Sequence, residues 1–404
     1  MAPSYTTGPK GEKPRSDVRV TYTPQDLPLT INSCSKVAAL FGKAIDKLAR
    51  SVCADLGINT GHLEIEDFGA LPFVLLARIE AAIKAAYPEL EAECVPPLKA
   101  FCTYSSSRDK FRRSRLYLPG NQPKLMLNAG IHQPDGLILD LEDSVGPHEK
   151  EATRYLVRNA LCSLDFFGAE RMVRINQGEM GLTDLEFIVP HNVHLILVPK
   201  VESADQIIII DKKIVEISKI CGRTEPVYLM PILESGRGIL KALEIAEASP
   251  NNVALAIGLE DYTADLGVPR TDEGKESFFA RGMLVNAARA AGLQAIDTVY
   301  SDVGNLDGLR ESVLEAKALG FDGKGCIHPR QIKPLHAAFA PTAAEIEKAK
   351  KIELAFDKAQ EQGLGVVALG NKMIDPPVVK RAQQTLALAI ASNLLAENWK
   401  EEGQ

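Results

Sequence analysis

Short apolar runs alternate with turns and helical stretches through the central part of the chain. Each run is rich in residues that favour strands, and it ends at a turn containing Gly, Pro, Asn or Asp before a stretch with helical spacing begins. Strands are predicted at residues 115–120, 136–143, 171–176, 195–202, 226–235, 253–262, 294–302 and 323–329. Eight successive strand–helix units predict an α/β fold, a (β/α)8 TIM-like barrel, whose site would lie at the carboxyl ends of the strands.

The alternative to a barrel is a doubly wound open sheet. Such a sheet rarely needs eight strands, and it usually carries a Gly-rich loop after its first strand. The corresponding position holds Pro119-Gly-Asn-Gln-Pro123, which lacks the GxGxxG spacing. The barrel is therefore favoured, and it is assigned to residues 113–335.

A different pattern precedes the barrel. Strands with alternating polar and apolar residues are predicted at 17–22, 28–31 and 62–67, and amphipathic helices at 37–56 and 71–87. These elements predict a small α+β domain at residues 15–88. A flexible arm is expected at 1–14 and a linker rich in Pro and Ser at 89–112.

Two further helical patterns follow the eighth predicted strand. They cover residues 342–362 and 377–401 and are joined by the segment 366–375. A closed barrel does not require these helices for itself. Residues 336–404 are therefore predicted to form a C-terminal helical extension.

The composition is that of an ordinary globular chain, with 46% hydrophobic and 25% charged residues among 404. The net charge of -7 argues against a nucleic-acid surface, which needs clustered Lys and Arg. No apolar run reaches the roughly 18 residues of a membrane span, and the N-terminus lacks the apolar segment of a secretion signal. Seven scattered cysteines without zinc spacing predict reduced thiols. We therefore expect a cytoplasmic protein without nucleic-acid or membrane partners.

Two predicted strands end in carboxylates where the chain turns toward a helix. Glu234 lies in Met230-Pro-Ile-Leu-Glu-Ser-Gly-Arg-Gly238, and Asp261 lies in Gly258-Leu-Glu-Asp-Tyr262. Mg²⁺ is commonly held by one or two protein carboxylates together with water and substrate oxygens. These residues are therefore predicted to bind Mg²⁺, although a polar residue that only caps a helix is the simpler reading of either alone.

Charged residues at the ends of the neighbouring strands extend this predicted site. Arg174, in Met172-Val-Arg-Ile-Asn176, could hold a carboxylate or an enolate oxygen with directed donors. An internal salt bridge to Glu142 is the alternative, and both can hold at once. The basic stretch Arg108 to Arg115 could meet coenzyme phosphates at the barrel mouth or be a solvated linker. We predict that Arg115 and Glu142 contact the coenzyme or the substrate.

These motifs together resemble the citrate lyase beta chain, within the group of malyl-, citramalyl- and citryl-thioester lyases. The matching segments are Arg113-Ser-Arg-Leu-Tyr-Leu-Pro-Gly120, Asp140-Leu-Glu-Asp143, Val173-Arg-Ile-Asn176, Leu233-Glu-Ser-Gly-Arg-Gly238, Gly258-Leu-Glu-Asp-Tyr262, Gly320-Phe-Asp-Gly-Lys-Gly-Cys-Ile-His-Pro329 and Lys372-Met-Ile-Asp-Pro-Pro377. They occur in the family's order, so the resemblance is specific.

The resemblance implies a Mg²⁺-dependent cleavage of a carbon–carbon bond in a 3-hydroxy-acyl thioester. It places the metal carboxylates at Glu234 and Asp261 and the oxyanion-binding arginine at Arg174. It also assigns a catalytic role to Asp375, which in such enzymes comes from a neighbouring subunit. A homo-oligomer, trimer or hexamer, is therefore expected. An association with a citrate lyase alpha-type transferase chain stays open.

The first domain resembles the citrate lyase gamma chain, an acyl carrier protein. The matching segments are Ile31-Asn-Ser-Cys34, Phe41-Gly-Lys-Ala-Ile45, Asp67-Phe-Gly-Ala-Leu71 and Ala77-Arg-Ile-Glu-Ala-Ala82. Such carriers hold a phosphoribosyl-dephospho-coenzyme A arm on a serine, and Ser16 is the candidate here. The ungapped register places Arg15 at that position instead. Either Ser16 carries the arm after a one-residue shift, or the lyase uses a free coenzyme A thioester.

The sequence leaves three hypotheses for function. The first is a lyase that splits a citryl, citramalyl or malyl thioester into an acetyl thioester and a 2-oxo acid by retro-Claisen cleavage. The second is a carrier or assembly subunit of a lyase complex without turnover of its own. The third, an aldolase acting on free 2-oxo acids, needs neither the carrier domain nor Asp375. The residues that favour the lyase are all present, namely Arg174, Glu234, Asp261 and Asp375. A subunit without turnover would usually lack one of them.

Overall fold

The computed structural model describes residues 3–9, 14–361, 367–369 and 372–400, and the remaining parts of the predicted arm and C-terminal extension lie outside these ranges. The described chain divides into two compact units. One contains residues 1–304 and 316–332, and the other contains residues 305–315 and 333–404. The predicted domain boundaries at residues 14, 88, 112 and 335 stay predictions.

The predicted barrel is confirmed. Its eight parallel strands close in the order β10-β11-β12-β5-β6-β7-β8-β9. The strands are β5 (Ser114–Pro119), β6 (Gly136–Asp140), β7 (Glu170–Arg174), β8 (Leu195–Val198), β9 (Tyr228–Leu233), β10 (Ala254–Ile257), β11 (Gln294–Asp297) and β12 (Gly323–Cys326). Inward residues such as Ile138, Leu197 and Ile232 pack together in the barrel interior. Because each strand continues into a loop at its carboxyl end, these loops converge on one mouth.

At least one helix follows each barrel strand. These helices are α3 (Pro123–Met126), α4 (Lys150–Ser163), α5 (Gly178–Ile188), α6 (Ala204–Cys221), α7 (Gly236–Leu240), α8 (Ala242–Glu247), α9 (Leu259–Leu266), α10 (Lys275–Ala290), α11 (Leu306–Leu319) and α12 (Ile332–Phe339). The long helix α6 begins at a capping box in which Ser203 and Gln206 satisfy each other's backbone donors, and it ends at Gly222 in a left-handed conformation. Such caps fix where a strand-to-helix loop ends and thus position the residues at the mouth.

The N-terminal part is a four-stranded sheet with two helices. Its strands are β1 (Tyr5–Thr7), β2 (Val18–Pro28), β3 (Thr30–Ser35) and β4 (Thr60–Asp67), in the order β1-β2-β4-β3, and its helices are α1 (Ala38–Asp55) and α2 (Pro72–Ala86). Tyr5 pairs with Tyr22 of β2, so part of the arm predicted to be flexible is an ordered edge strand. The predicted strand at 28–31 is displaced, because β3 runs to Ser35 beside β4.

The N-terminal domain packs against the barrel through one helix. Helix α2 is buried along most of its length and lies against α4 of the barrel. Asn159 of α4 donates a hydrogen bond to the carbonyl oxygen of Phe73 at 3.2 Å. The two domains therefore share a polar and apolar interface within one compact unit.

The second unit has its own core. It includes α13 (Ala343–Glu361), α14 (Pro376–Ala391) and a hairpin of β13 (Val367–Leu369) and β14 (Lys372–Ile374). Apolar residues of both helices pack together, among them Ile352 and Leu386. Helix α14 ends before the predicted residue 401, because Asn393 adopts a left-handed conformation that ends a helix. Among the helices described here, none is both long and apolar enough to cross a membrane.

Candidate active site

A cavity of about 350 Å³ opens at the carboxyl ends of the barrel strands. Its walls combine apolar residues of β9 and β10, such as Ile232 and Ala256, with charged residues from the strand ends. The charged residues that line it are Arg115, Asp140, Arg174, Glu234, Glu260, Asp261 and Asp297. A cavity of this size with a few polar groups on apolar walls is suited to a small organic ligand.

Arg174, the last residue of β7, is held by two carboxylates. Its Nε and Nη2 donate to the two oxygens of Asp140 at 2.7 and 2.6 Å, and its Nη1 lies 3.0 Å from Oε2 of Glu142. The ring of Tyr117 lies beneath the guanidinium, 5.4 Å from centroid to Cζ. Burial disfavours the charged guanidinium, but the pairing with Asp140 outweighs it and raises the pKa of Arg174. The internal salt bridge and the substrate contact predicted for Arg174 are therefore compatible, since an internally paired guanidinium still lines the cavity.

The carboxylates beside Arg174 respond to burial in opposite ways. Burial acts to raise the pKa of Asp140, but the hydrogen bonds from Arg174 leave that pKa below its ordinary value. Burial raises the pKa of Glu142, and Arg174 only partly opposes this effect. Glu142 is itself almost fully buried, and its Oε1 accepts a hydrogen bond from Gln177 at 3.1 Å. Asp140 therefore acts mainly as the fixed anchor of the arginine.

Lys200 joins this cluster, although the sequence did not assign it a role. It follows β8 and has a positive φ of 50°, unusual for a residue other than glycine. Its Nζ lies 3.3 Å from Glu142, 3.2 Å from Asp143 and 3.7 Å from Asp261. Its backbone N–H donates to Oε2 of Glu234 at 2.9 Å. Lys200 thus links four carboxylates from three strand ends, those of β6, β9 and β10. Its position just after an apolar strand was the available signal.

Glu234 follows β9 and is buried at the mouth. Burial raises the pKa of this carboxyl group to about 8. Its second oxygen faces Gly258, where a Cβ atom would overlap the Glu234 side chain. Only glycine at position 258 leaves room for the carboxylate, so the local backbone is fitted to this side chain.

Asp261 lies in the first turn of α9 and is about half exposed, with 45% of its side chain accessible. It lines the same cavity as Glu234, and its charge contributes to the raised pKa of Glu234. The pair offers hard oxygen donors with room left beside them, which suits a cation that keeps water and substrate oxygens. Throughout the described ranges, no group of three or more His, Cys, Asp or Glu is arranged to hold a metal. A two-carboxylate site of the predicted kind does not require such a group.

Arg115 lies deeper than the other predicted site residues. It is the second residue of β5, is 2% exposed and lines the cavity from below the mouth. The rest of the basic stretch is elsewhere: Arg112 pairs with Glu170 at 2.7 Å, and Arg113 with Asp135 at 2.9 Å. Both acids lie at the amino-terminal ends of strands, so these arginines are neither a solvated linker nor a phosphate site at the mouth.

Ser16 lies in a turn of the N-terminal domain. It has a left-handed φ of 56°, and its N–H donates to the carbonyl oxygen of Phe68 at 3.1 Å. The adjacent Asp17 accepts two hydrogen bonds from Arg78, whose Nη2 also donates to the carbonyl oxygen of Asn121 at 3.0 Å. Asn121 belongs to the loop after β5. The turn at Ser16 is thereby tied to a loop that begins at the cavity wall.

Asp375 lies in the second unit, at the start of α14. It is the N-cap residue, and its carboxylate accepts a hydrogen bond from the N–H of Val378 at 3.2 Å. The side chain thus has a local structural function. Its predicted catalytic function and those of the other site residues stay predictions.

The geometry defines a class, the (β/α)8 barrel proteins with an acidic site at the carboxyl ends of the strands. The family model HpcH/HpaI aldolase/citrate lyase matches residues 113–329, and the chain belongs to this family. Citrate lyase subunit beta of Haemophilus influenzae is 44% identical over 283 residues, 69% of this chain and 97% of that protein. Mitochondrial citramalyl-CoA lyase of Homo sapiens is 33% identical over 322 residues, 76% and 95% of the two chains.

A solved structure agrees with this assignment. The protein CitE from Mycobacterium tuberculosis, in complex with magnesium, acetoacetate and coenzyme A, has 31% sequence identity and a TM-score of 0.57. The match covers 70% of this chain and 99% of that protein. The predicted fold, the citrate lyase beta resemblance and the prediction of a carbon–carbon lyase are confirmed by these relatives.

The N-terminal domain matches a second family model. The malonate decarboxylase delta subunit model, an acyl carrier family, covers residues 11–86. This match to an acyl carrier family confirms the prediction that an acyl-carrier-like domain is fused to the lyase barrel. The narrower likeness to the citrate lyase gamma chain stays a prediction.

Proposed function

We propose that the protein is a Mg²⁺-dependent lyase that cleaves a citryl, citramalyl or malyl thioester into an acetyl thioester and a 2-oxo acid. One observation carries this proposal: a single cavity is lined by the guanidinium of Arg174 and the carboxylates of Glu234 and Asp261. The relatives support the reaction class, since they include a citrate lyase subunit and a citramalyl-CoA lyase. The ligands of the related CitE structure, magnesium, acetoacetate and coenzyme A, support the cofactor and the thioester.

Retro-Claisen cleavage must stabilise two oxygens. The hydroxyl oxygen becomes a ketone, and the thioester carbonyl oxygen becomes an enolate. Mg²⁺ held by Glu234 and Asp261 would supply Lewis-acid polarisation at the hydroxyl or keto oxygen. The metal fits these residues because Gly258 leaves space for the Glu234 side chain and the Lys200 N–H fixes its orientation.

Arg174 is suited to stabilise the enolate. A guanidinium has five N–H donors, and the pairs with Asp140 and Glu142 engage Nε, Nη1 and Nη2 once each. Two N–H donors are left for a substrate oxygen. Since Asp140 fixes the group before substrate binds, little reorganisation accompanies the reaction.

Asp375 completes the proposed site by exchanging a proton at the acetyl methyl carbon. We assign it to the site of a neighbouring subunit, which makes a homo-oligomer, trimer or hexamer, necessary for turnover. A carboxylate becomes an effective general acid or base when a closed interface excludes water. An associated alpha-type transferase chain and a cytoplasmic location belong to the same proposal.

The acyl group is delivered either on free coenzyme A or on a covalent arm at Ser16. The connection from Asp17 through Arg78 to Asn121 supports the arm, because it joins the Ser16 turn to the loop that follows β5. The same connection supports the proposal that this domain is similar to the citrate lyase gamma chain. The alternative function is that of a carrier or assembly subunit without turnover, in which binding by the N-terminal domain is the main activity.

A direct assay distinguishes these functions. Purified protein is incubated with citryl-, citramalyl- and malyl-coenzyme A, and the released 2-oxo acid is measured with Mg²⁺ and after chelation. We expect cleavage of at least one thioester only with Mg²⁺, and its loss in Asp261→Asn with the fold retained. No cleavage of any thioester by the folded oligomer would support the carrier function. Full activity after chelation would contradict the metal site.

A further inference from the structure

Arg115 is a buried cation that forms no salt bridge or hydrogen bond with a carboxylate of the described residues, although the buried Asp297 acts on it at longer range. Within the described part of the chain, the only hydrogen-bond partner of the Arg115 guanidinium is the weak acceptor Sδ of Met230, 3.0 Å from Nη1. Its Nε has no hydrogen-bond partner among the same residues. A guanidinium does not lose its proton in proteins, so this group stays charged. Burying an unpaired charge costs folding free energy that a partner would offset.

The other buried arginines differ from Arg115. Most of them pair with a carboxylate within 4.0 Å, as Arg158 does with Glu80 and Arg281 with Asp297. Arg171 pairs with no carboxylate of the described residues but donates to the carbonyl oxygens of Asn192 and Tyr104 at 2.8 Å. Arg115 is therefore exceptional in having neither kind of oxygen partner among the described residues, while it lines the cavity.

Glycines flank Arg115 on both neighbouring strands. Arg115 is paired in register with Gly136 of β6 and Gly325 of β12. A Cβ atom at Gly136 would lie 3.7 Å from Cγ of Arg115. A Cβ atom at Gly136 would also lie only 2.4 Å from Cε of Met172, and one at Gly325 only 2.6 Å from Cγ1 of Val299, so the two glycines admit these side chains beside Arg115.

The depth of Arg115 limits what it can contact. Met230, beside its guanidinium, precedes Glu234 by four residues on the same face of β9. At a rise of about 3.3 Å per residue, the two Cα atoms are separated by roughly 13 Å along the strand. On β9 and β10 the wall between these levels is apolar and includes Ile232 and Ala256, whereas the buried Asp297 on β11 also lines the cavity and is paired with two cations. A ligand that reaches Arg115 from the mouth would thus end in an anion after an apolar segment.

We propose that Arg115 binds a carboxylate at the end of the acyl group that enters the barrel most deeply. This inference rests on the proposed lyase function and narrows its substrate class. Arg115 would then determine substrate preference. A thioester that releases a 2-oxo dicarboxylic acid would be preferred over one that releases a 2-oxo monocarboxylic acid. The guanidinium suits this role because it presents two parallel donors to a carboxylate.

Two thioesters that differ at this position provide the test. Citryl-coenzyme A has a carboxymethyl group on the carbon that bears the hydroxyl, and citramalyl-coenzyme A has a methyl group there. We expect the wild-type protein to prefer the first by kcat/KM, and Arg115→Met to reduce that preference by about 10- to 100-fold. A wild-type protein without preference, or a preference unchanged in Arg115→Met, would overturn the proposal.

Arg171→Met is the matched control, because Arg171 is also buried without a carboxylate partner but does not line the cavity. This variant should lose thermal stability and keep the substrate preference. Arg115→Met should be at least as stable as the wild type, since it removes an unpaired buried charge. A large loss of stability in Arg115→Met with the preference intact would instead assign Arg115 a structural function.

Binding separates this inference from the lyase function. Calorimetry with Mg²⁺ and either oxaloacetate or pyruvate requires no turnover. We expect tighter binding of the dicarboxylic acid to the wild type and equal binding of both acids to Arg115→Met. If neither thioester is cleaved, the lyase function fails while this measurement still decides the role of Arg115. Equal binding of the two acids to the wild type would refute it.

Discussion

Arg158 and Glu80 form an ion pair that joins the barrel to the N-terminal domain. Nη2 of Arg158, on α4, lies 2.5 Å from Oε2 of Glu80, on α2, and neither side chain is accessible to solvent. Nη1 also lies 3.3 Å from the other Glu80 oxygen, so the contact uses both oxygens. Because a buried charge must keep its partner, this pair fixes how the two domains are joined.

Replacing Glu80 should weaken the whole first unit. We expect Glu80→Ala to lower the free energy of unfolding by about 3–5 kcal/mol, since Arg158 is left buried without its main partner. Glu93→Ala is the control, because Glu93 lies 3.7 Å from the same Arg158 but is 47% exposed. A surface pair contributes at most about 1 kcal/mol. Urea unfolding of both variants measures the difference, and equal losses would contradict the importance of burial.

Magnesium affinity should depend on pH through Glu234. Burial raises the pKa of this carboxyl group to about 8, so without metal it holds a proton at neutral pH. A metal must displace that proton, and affinity should therefore rise by up to about tenfold per pH unit from pH 6 to pH 8. Above the pKa the carboxylate is already ionised, and the increase should level off. Calorimetric titration with Mg²⁺ across this range measures the effect.

Two variants make the magnesium experiment specific. Glu234→Gln should abolish binding at every pH, because it removes a charged oxygen donor. Glu202→Gln is the control, since Glu202 also follows a barrel strand but bonds Ser235 at 2.7 Å. We expect this variant to bind Mg²⁺ with the wild-type pH dependence. Affinity independent of pH in the wild-type protein would show that Glu234 does not exchange a proton for the metal.

The barrel could be predicted from the sequence because its signals are local. Each strand is a short apolar run followed by turn residues, and the carboxylates Glu234 and Asp261 directly follow such runs. Parallel strands then bring these ends to one mouth without further information. This is why the cavity contains most of the residues that the sequence selected.

The features that the sequence did not reveal depend on contacts between distant residues. Strand β1 has only three residues, and its Tyr5 pairs with Tyr22, 17 residues further along the chain. Lys200 lies in the site because it contacts carboxylates of other loops, and Arg112 is paired with Glu170, 58 residues away. A basic run in one segment cannot indicate which of its members are paired internally. Charge partners of this kind follow only from the folded arrangement.

Substitution of Arg174 should affect the reaction more than the fold. Arg174→Lys retains a positive charge but cannot bond both oxygens of Asp140 and still offer donors to an enolate. We expect kcat to fall by about 10²- to 10³-fold, as for the loss of an oxyanion donor. Arg154→Lys is the control, because Arg154 pairs with the buried Asp184 outside the cavity. Equal rates in the Arg174→Lys and wild-type proteins would exclude the proposed role.

The state of Ser16 can be read from the mass of the protein. If Ser16 carries the arm, protein purified from its native host should contain a coenzyme-sized adduct on a peptide from the N-terminal domain. Ser16→Ala should lack the adduct and should lose cleavage of the covalently bound acyl group. Ser4→Ala is the control, since Ser4 is an exposed serine of the same domain. An unmodified wild-type protein that cleaves free thioesters would favour the coenzyme A route.

The proposed sharing of the site between subunits predicts complementation. Asp375→Ala and Arg174→Ala should each be inactive alone, because each site would lack one residue. In a mixed oligomer, a subunit that retains Arg174 can receive Asp375 from a neighbour. With equal amounts and random assembly, about one quarter of the sites should be complete. Activity after unfolding and refolding the mixture measures this fraction.

The control for complementation is a mixture of Asp261→Asn and Arg174→Ala. Both residues line the same cavity of one chain, so no mixed oligomer contains a subunit with both. This mixture should stay inactive, whereas the Asp375→Ala mixture recovers activity. If neither mixture recovers while the wild-type protein refolds to full activity, Asp375 acts within its own chain or not at all. Recovery in both mixtures would mean that the carboxylate and the arginine also act across the interface.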